Sequence, residues 1–305
     1  MTPPIGYSLN PIQHKHDCLL VFEVINGNPN GDPDANAMAR TDPDTGRGLV
    51  TDVANKASIR RAAHIMYGEN DGYRMYIRND SFLNAKDEEA VIANGAKSLD
   101  NAKIVRKNDP DFDKKCAEFM CRNYYDIRTF GAVMTGFTKS EMSTGGVRGP
   151  VQFTCGQTVD PIQQLELTIT RQAVSTEKEL IEKKKNNTMG SKFIVPYGLY
   201  VCPFHISAAQ AQKTGFSEQD LAIFWESVKN MFEFNRSAMK GEINVRMVID
   251  FEHDSMYGNA PAWQLFEALS IKRINPDEPA RKFQDYDIQL DMSKIPAGVT
   301  VNHIV

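Results

Sequence analysis

The sequence predicts an α+β fold built on a sheet of βαββαβ order, and three observations carry that reading. Apolar runs of strand type, rich in branched and aromatic residues, alternate with two well-marked helical patterns. Polar excursions interrupt this alternation without replacing it. A turn-rich connection of 23 residues, Asn26 to Gly48, separates the first strand from the first helix. Loops of that length are uncommon in compact domains unless they are functional or disordered, and its varied sequence favours function.

The first strand is read in "CLLVFEVI", Cys18 to Ile25. After the loop, "TDVANKASIRRAAHIMYG" predicts a helix capped by Thr51 and ended by Gly68, with Val53, Ala57, Ala63 and Ile65 or Met66 as its buried stripe. From Gly68 to Asn123 the chain turns polar and weakly periodic, which reads as an insertion standing off the core. "CRNYYDIRTFGAVMTG" predicts a helix directing Tyr124, Ile127 and Phe130 inward, followed by the glycine-rich loop "STGGVRGP". "VQFTCGQTV" and "QLELTITR" read as strands joined at Asp160-Pro161. The polar stretch Gln172 to Lys192 then leads into the strand "FIVPYGLYVCPFHI", so a basic arm is expected to protrude between two strands. In the next helix Ser217 and Asp220 form a capping box, Phe216 and Leu221 can staple, and Leu221, Trp225, Val228 and Phe232 share a face. "INVRMVIDFE" supplies the last strand. This succession is that of a ferredoxin-like or RRM-like sheet.

Composition narrows the function. A chain of 305 residues with 41% hydrophobic and 24% charged residues can bury a large core, in one domain with insertions or in two. Its apolar runs stay short of the roughly 18 residues a membrane span needs, and the start shows no signal pattern, so a soluble cytoplasmic protein is expected. Five cysteines without a CxxC pair indicate reduced, mostly buried thiols. The net charge of −4 is unevenly spread. Asp250 to Asp291 holds nine acids against four bases, whereas Arg47 to Arg61 holds four bases against one acid and Arg171 to Lys192 six against three. Basic surfaces with an acidic end fit a polyanion, or head-to-tail stacking of copies.

Specific chemistry is sparse. Asp32, Asp34 and Asn36 alternate like calcium ligands, but Ala37 stands where an EF-hand needs glycine and Pro43 where it needs glutamate. The "EHDS" stretch, Glu252 to Ser255, cannot converge on one reacting atom as a triad must. No cofactor and no metal is expected. For a polyanion, the loop delivers the chain to a helix N-terminus, and Lys56, Arg60 and His64 follow at helical spacing, with Arg40 and Arg47 on the loop. Lys183, Lys184, Lys185 and Lys192 charge the later arm. Met189 is an apolar residue of the kind that wedges between bases.

Taken together, "NGNPNGDPDANAMARTDPDTGRGLVTDVANKASIRR", "YYDIRTFGAVMTG", "GGVRGPVQF", "MGSKFIVPYGLY", "TGFSEQDLAIFWESVKNMFEFNRSA" and "FEHDSMYGNAPA" resemble the backbone subunit of the CRISPR type I Cascade complex, nearest to its subtype C version. The resemblance implies an RRM-like palm (1–67 and 124–305), an inserted fingers region (68–123) and a thumb (172–192). It also implies a non-catalytic subunit that polymerises head to tail along CRISPR RNA and presents it to target DNA. The other expected partners are the subunit that binds the RNA 5′ handle, the large subunit and the small subunit. Thr51, Lys56, Arg60 and Arg148 match the family's RNA-gripping segments. Asn28, Arg40, Arg47, Arg171, Lys184, Met189 and Lys192 are placed by region. Related type III subunits cut target RNA with a loop aspartate, which makes Asp32 or Asp34 the alternative.

Overall fold

The computed structural model describes residues 10–79, 81–142, 146–176, 178, 181 and 188–305. Its centre is β1 (His16–Gly27), almost wholly buried, as a continuous apolar run bounded by turn residues requires when both faces of a strand are covered. β1 lies between β10 (Thr188–Ile206) and β11 (Glu242–His253), antiparallel to both. The sheet continues to β14 (Val299–His303) beyond β11. Beyond β10 it continues to β8 (Gly156–Pro161) and then β4 (Arg47–Val50), while β7 (Val151–Phe153) pairs with the end of β10.

One face of this sheet carries Cys18, Leu20, Phe22 and Val24 with Tyr200, Cys202 and Phe204. It packs against helix α1 (Asp52–Tyr67) and the helix Glu218–Lys229 through Ile59, Ala63, Leu221, Phe224 and Val228. The opposite face, with Leu19, Val21, Leu199 and Phe251, is covered by the C-terminal chain. The short helix Ala262–Phe266 contributes Leu265, and the antiparallel pair Leu269–Arg273 and Tyr286–Leu290 contributes Tyr286 and Ile288.

Thr51 caps α1 as expected, its Oγ1 accepting the Ala54 N–H at 3.3 Å, and the Gly68 N–H returns to the His64 carbonyl. The buried stripe differs from the expected one. Asn55, Ser58, Ile59, Ala62 and Ala63 face inward, while Val53 is 65% and Ile65 53% exposed. The inward residues keep the i, i+3, i+4, i+7 spacing, but they are mostly small or polar. Small side chains bring α1 close to the sheet, and the Ser58 hydroxyl donates to the Ala54 carbonyl instead of standing unpaired.

The capping box on the Glu218 helix is present in full, with Ser217 Oγ accepting from the Asp220 N–H and the Asp220 carboxylate accepting from the Ser217 N–H. Between α1 and the glycine-rich loop, the helices Leu83–Ala93, Ala102–Asn108, Phe112–Asn123 and Tyr125–Phe130 form a helical body with a core of its own. Tyr76, Val91, Phe112, Met120, Ile127 and Phe137 fill that core, which reaches Met142. β9 (Leu165–Arg171) pairs with Thr188–Ile194 of β10 as an exposed two-stranded arm.

Candidate nucleic-acid interface

The turn-rich loop is ordered by its own side chains. Asn28 is buried; its Nδ2 donates to the carbonyls of Ala37 at 2.8 Å and Phe193 at 3.5 Å, and its Oδ1 accepts the Asn30 N–H. Asn30 Oδ1 in turn accepts the Thr51 N–H at 2.8 Å, which fixes where the chain enters α1. Asp42 closes a second turn, accepting from the Asp44 N–H and the Thr45 hydroxyl. Within the loop, Arg40 Nη1 donates to Asp32 Oδ2 at 3.1 Å, and Asp32 Oδ1 accepts the Asp34 N–H. Arg47, at the start of β4, is exposed, as is Asp34.

On α1, Lys56 and Arg60 sit one turn apart with little of either side chain exposed, 13% and 11%. Lys56 Nζ lies 3.1 Å from Asp52 Oδ2 and 3.3 Å from Gln152 Oε1. Arg60 Nε donates to Asp126 Oδ2 at 3.1 Å, and its guanidinium stacks 5.0 Å from the Phe130 ring centre. Asp126 also accepts the Tyr76 and Ile77 N–H groups. His64, the third residue of the basic face, is pushed below its ordinary pKa by burial and then by the positive charge of Arg78.

Gln152 joins this face to the glycine-rich loop. Its Nε2 donates to the carbonyls of Gly149 at 2.9 Å and Phe130 at 3.1 Å, while its Oε1 holds Lys56. Next to Gly149, Arg148 ends the strand Gly146–Arg148, which pairs with Gly131–Val133, and its side chain is exposed. Gln152 thus links Lys56 to Gly149, the neighbour of Arg148, and to Phe130, whose ring meets Arg60. The sequence reading missed Gln152 and Asp126, whose role depends on contacts across more than 60 residues. It also missed Lys240, beside the loop, where the Asn28 N–H meets the Met239 carbonyl. Burial, then the adjacent Arg61 charge, lowers the Lys240 ammonium pKa. The basic composition of "NRSAMKG" was the available signal.

The remaining residues lie along the arm. Met189, 69% exposed, is opposite Thr170; Lys192 is opposite Leu167; Arg171 is opposite Thr188. Arg171 Nε and Nη2 donate to the Ala173 carbonyl and the Ser175 hydroxyl. Lys184 lies outside the described residues, as do Lys183 and Lys185. Among the described residues, no group of three or more His, Cys, Asp or Glu side chains is arranged to hold a metal ion, and no helix is long and apolar enough to cross a membrane.

The family model of CRISPR-associated protein Cas7 matches residues 14–291. A CRISPR-associated protein Cas7 of Haloferax volcanii is 21% identical over 265 residues, covering 80% of this chain and 72% of its own. Among solved structures, a chain of a CRISPR RNA-guided surveillance complex in a pre-nicking state is 13% identical, with a TM-score of 0.48 and 78% of each chain covered. A chain of another CRISPR RNA-guided surveillance complex has 13% identity and a TM-score of 0.45, covering 78% of this chain and 68% of its own.

Proposed function

Because this chain belongs to the CRISPR-associated Cas7 family, we propose that it is the guide-RNA-binding backbone subunit of a type I surveillance complex of subtype C, polymerising along CRISPR RNA and presenting it to target DNA in antiviral defence. The observation that carries the RNA-binding part is the capped α1 N-terminus followed by Lys56 and Arg60, with Gln152 tying Lys56 to Gly149 beside the exposed Arg148. A helix N-terminus offers unpaired N–H groups and a positive dipole end, and cations held in place beside it suit a phosphodiester of any sequence. A guide must be gripped without being read, because pairing with the target supplies the specificity.

In this reading the sheet with β11, β1, β10 and β7 or β8 side by side is an RRM-like palm, the insertion 68–123 is the fingers region, and 172–192 is the thumb, whose described ends are the arm strands. Copies of the chain and the other subunits of the complex are its partners, in the cytoplasm. We read the subunit as non-catalytic. Of the two aspartates a type III-like cleavage could use, Asp32 is engaged by Arg40 and by the Asp34 N–H, and Asp34 is exposed.

The test is expression with a matching CRISPR array, followed by size-exclusion chromatography in moderate salt and the absorbance ratio at 260 and 280 nm. A large particle carrying protected RNA is the expected result. A small RNA-free particle in the presence of the partner subunits would overturn the reading.

A further inference from the structure

The cover on the second face of the sheet thins out over β8 and β4, where Gln157 and Arg47 are exposed and Val159 is half-buried. Its last strand on that side is β12 (Leu269–Arg273), which pairs with β13 (Tyr286–Leu290) and with no other strand among the described residues. The Ile274 N–H reaches the Asp285 carbonyl and the Asp291 N–H the Ala268 carbonyl, and bonded pairs in an antiparallel ladder recur at every second residue. Ser270 and Lys272 therefore turn their main-chain groups to β13. Leu269, Ile271 and Arg273 turn theirs to the open edge, where none has a partner among the described residues.

A groove runs beside that edge. Two cavities of about 270 Å³ each meet at Val201 and Pro203, one bounded by Leu269 and Ile271, the other by Gln157 and Val159. A third, of about 400 Å³, continues past Leu199 to Arg273 and Arg281. Unpaired main-chain donors and acceptors next to an apolar floor suit an extended polypeptide, which adds a strand and buries alternate side chains. RNA has no amide ladder to match such an edge. The groove is also charged: Arg47, Arg273 and Arg281 line it against one carboxylate, Asp160, which lies 3.2 Å from Arg273 Nε. Arg47 and Arg281 are exposed and form no ion pair among the described residues, so the charge left over is positive.

We propose that the open edge of β12 takes an added strand from a partner protein, an extended segment with apolar residues at alternate positions and a carboxylate at the end that meets Arg281. Its apolar residues pack on Val159, Val201 and Pro203, and its main chain pairs with Leu269, Ile271 and Arg273. The site is separate from the RNA-gripping face of α1 and does not depend on it.

Selection of displayed random-sequence peptides on the full chain, followed by fluorescence anisotropy of the enriched peptide made synthetically, tests this. The enriched sequences should alternate apolar with polar residues and carry aspartate or glutamate at one end. Methylating the peptide nitrogens at alternate positions leaves the protein untouched. One set of positions should lose about tenfold or more in affinity, from two or so lost hydrogen bonds, and the other set little. Arg281→Ala should weaken the peptide about two- to fivefold, as an exposed ion pair does, with RNA affinity and melting temperature unchanged. Val201→Glu should abolish peptide binding, and the methylated pair decides the matter even where that variant fails to fold. The absence of an enriched pattern, or equal losses from the two methylated sets, would overturn the proposal. Displacement of the peptide by single-stranded RNA would make the groove a nucleic-acid path, and break-up of self-associated chains by the peptide would make it a contact between copies. Either result removes the partner strand and leaves the α1 reading standing.

Discussion

Arg128 and Asp220 form a two-pronged ion pair with both side chains withdrawn from solvent: Nη2 to Oδ1 is 2.7 Å and Nε to Oδ2 is 3.0 Å. The guanidinium also donates to the carbonyls of Cys121 and Gly72, and Asp220 completes the capping box with Ser217. One pair therefore ties the helical body to the helix that covers the sheet. Asp220→Ala strands a buried cation and removes the cap, and should cost about 3–5 kcal/mol in urea denaturation. A loss below about 1 kcal/mol would show that the two bodies are held by apolar packing instead.

Stability should fall as pH rises above neutrality, because of His16. Burial alone would lower the imidazole's pKa, but the Asp250 carboxylate, 2.9 Å from Nδ1, outweighs it with help from Glu252 and Glu218, and the result is raised above the ordinary 6.5. A raised folded-state value means stabilisation that is complete below that ordinary value and lost as pH climbs through the folded one. Asp17 has the opposite sign. Burial opposes its charge, but donors on His205, Lys15 and His253 hold it well below the usual carboxylate range, so its contribution is lost only in acid. Melting temperatures from pH 6 to 8 should decline in the wild type and flatten in Asp250→Asn; parallel curves would refute the assignment.

Lys56 and Arg60 should separate in their effects. Lys56 shares a helical pair with Asp52, itself 39% exposed, worth about 0.5 kcal/mol or less, so Lys56→Ala should reduce RNA affinity and salt slope with little change in stability. Arg60→Ala leaves Asp126 buried beside two backbone donors but without its cation, and should cost about 3 kcal/mol as well as RNA affinity. Denaturation and anisotropy on the same samples decide it.

Gly149→Ala should damage the RNA-gripping loop through the backbone. A methyl there would run into the main chain of Thr129, Phe130 and Gly131, none of which can swing aside as a side chain could. Overpacking of this kind costs about 1–3 kcal/mol. Since Gln152 holds both Gly149 and Lys56, weaker RNA binding should accompany the lower melting temperature. Wild-type affinity in this variant would count against the cluster.

Asp32→Ala with Asp34→Ala should leave guide binding intact, and wild-type protein with magnesium should return bound RNA at full length. Gel analysis after incubation would expose a metal-dependent cut, and its disappearance in the double variant would establish catalysis.

The strands were legible because β1 and the part of β10 from Val195 onward are covered on both faces and so read as unbroken apolar runs. The capping box was legible because both its members lie within four residues. The inward face of α1 was not, since Asn55, Ser58 and Ala62 carry too little hydrophobicity to outweigh Val53 and Ile65. The acidic C-terminal stretch read as a charge asymmetry, yet Leu265, Tyr286 and Ile288 within it close the second face of the sheet, through contacts with strands far away in the chain. Among the expected site residues, Thr51, Lys56 and Arg60 were visible as a local pattern. The link from Lys56 through Gln152 to Gly149, beside Arg148, was not, because nothing local in the sequence marks a glutamine as a bridge.

The strand β10 runs unbroken for 19 residues, pairing with β9 at Thr188–Ile194 and with β1 from Val195 onward. At about 3.3 Å per residue it spans roughly 60 Å. The arm is therefore no flag on a hinge but the far end of a beam anchored in the middle of the molecule. A pull on Met189, near the start of β10, is delivered along the strand axis to Phe204 in the core, as shear against β1, where every ladder hydrogen bond resists together rather than peeling one at a time. Compliance is left to the neighbourhood of Pro196, which has no N–H to give to the ladder, and Gly198, so any swing of the arm must begin there and must stretch the sheet as it goes.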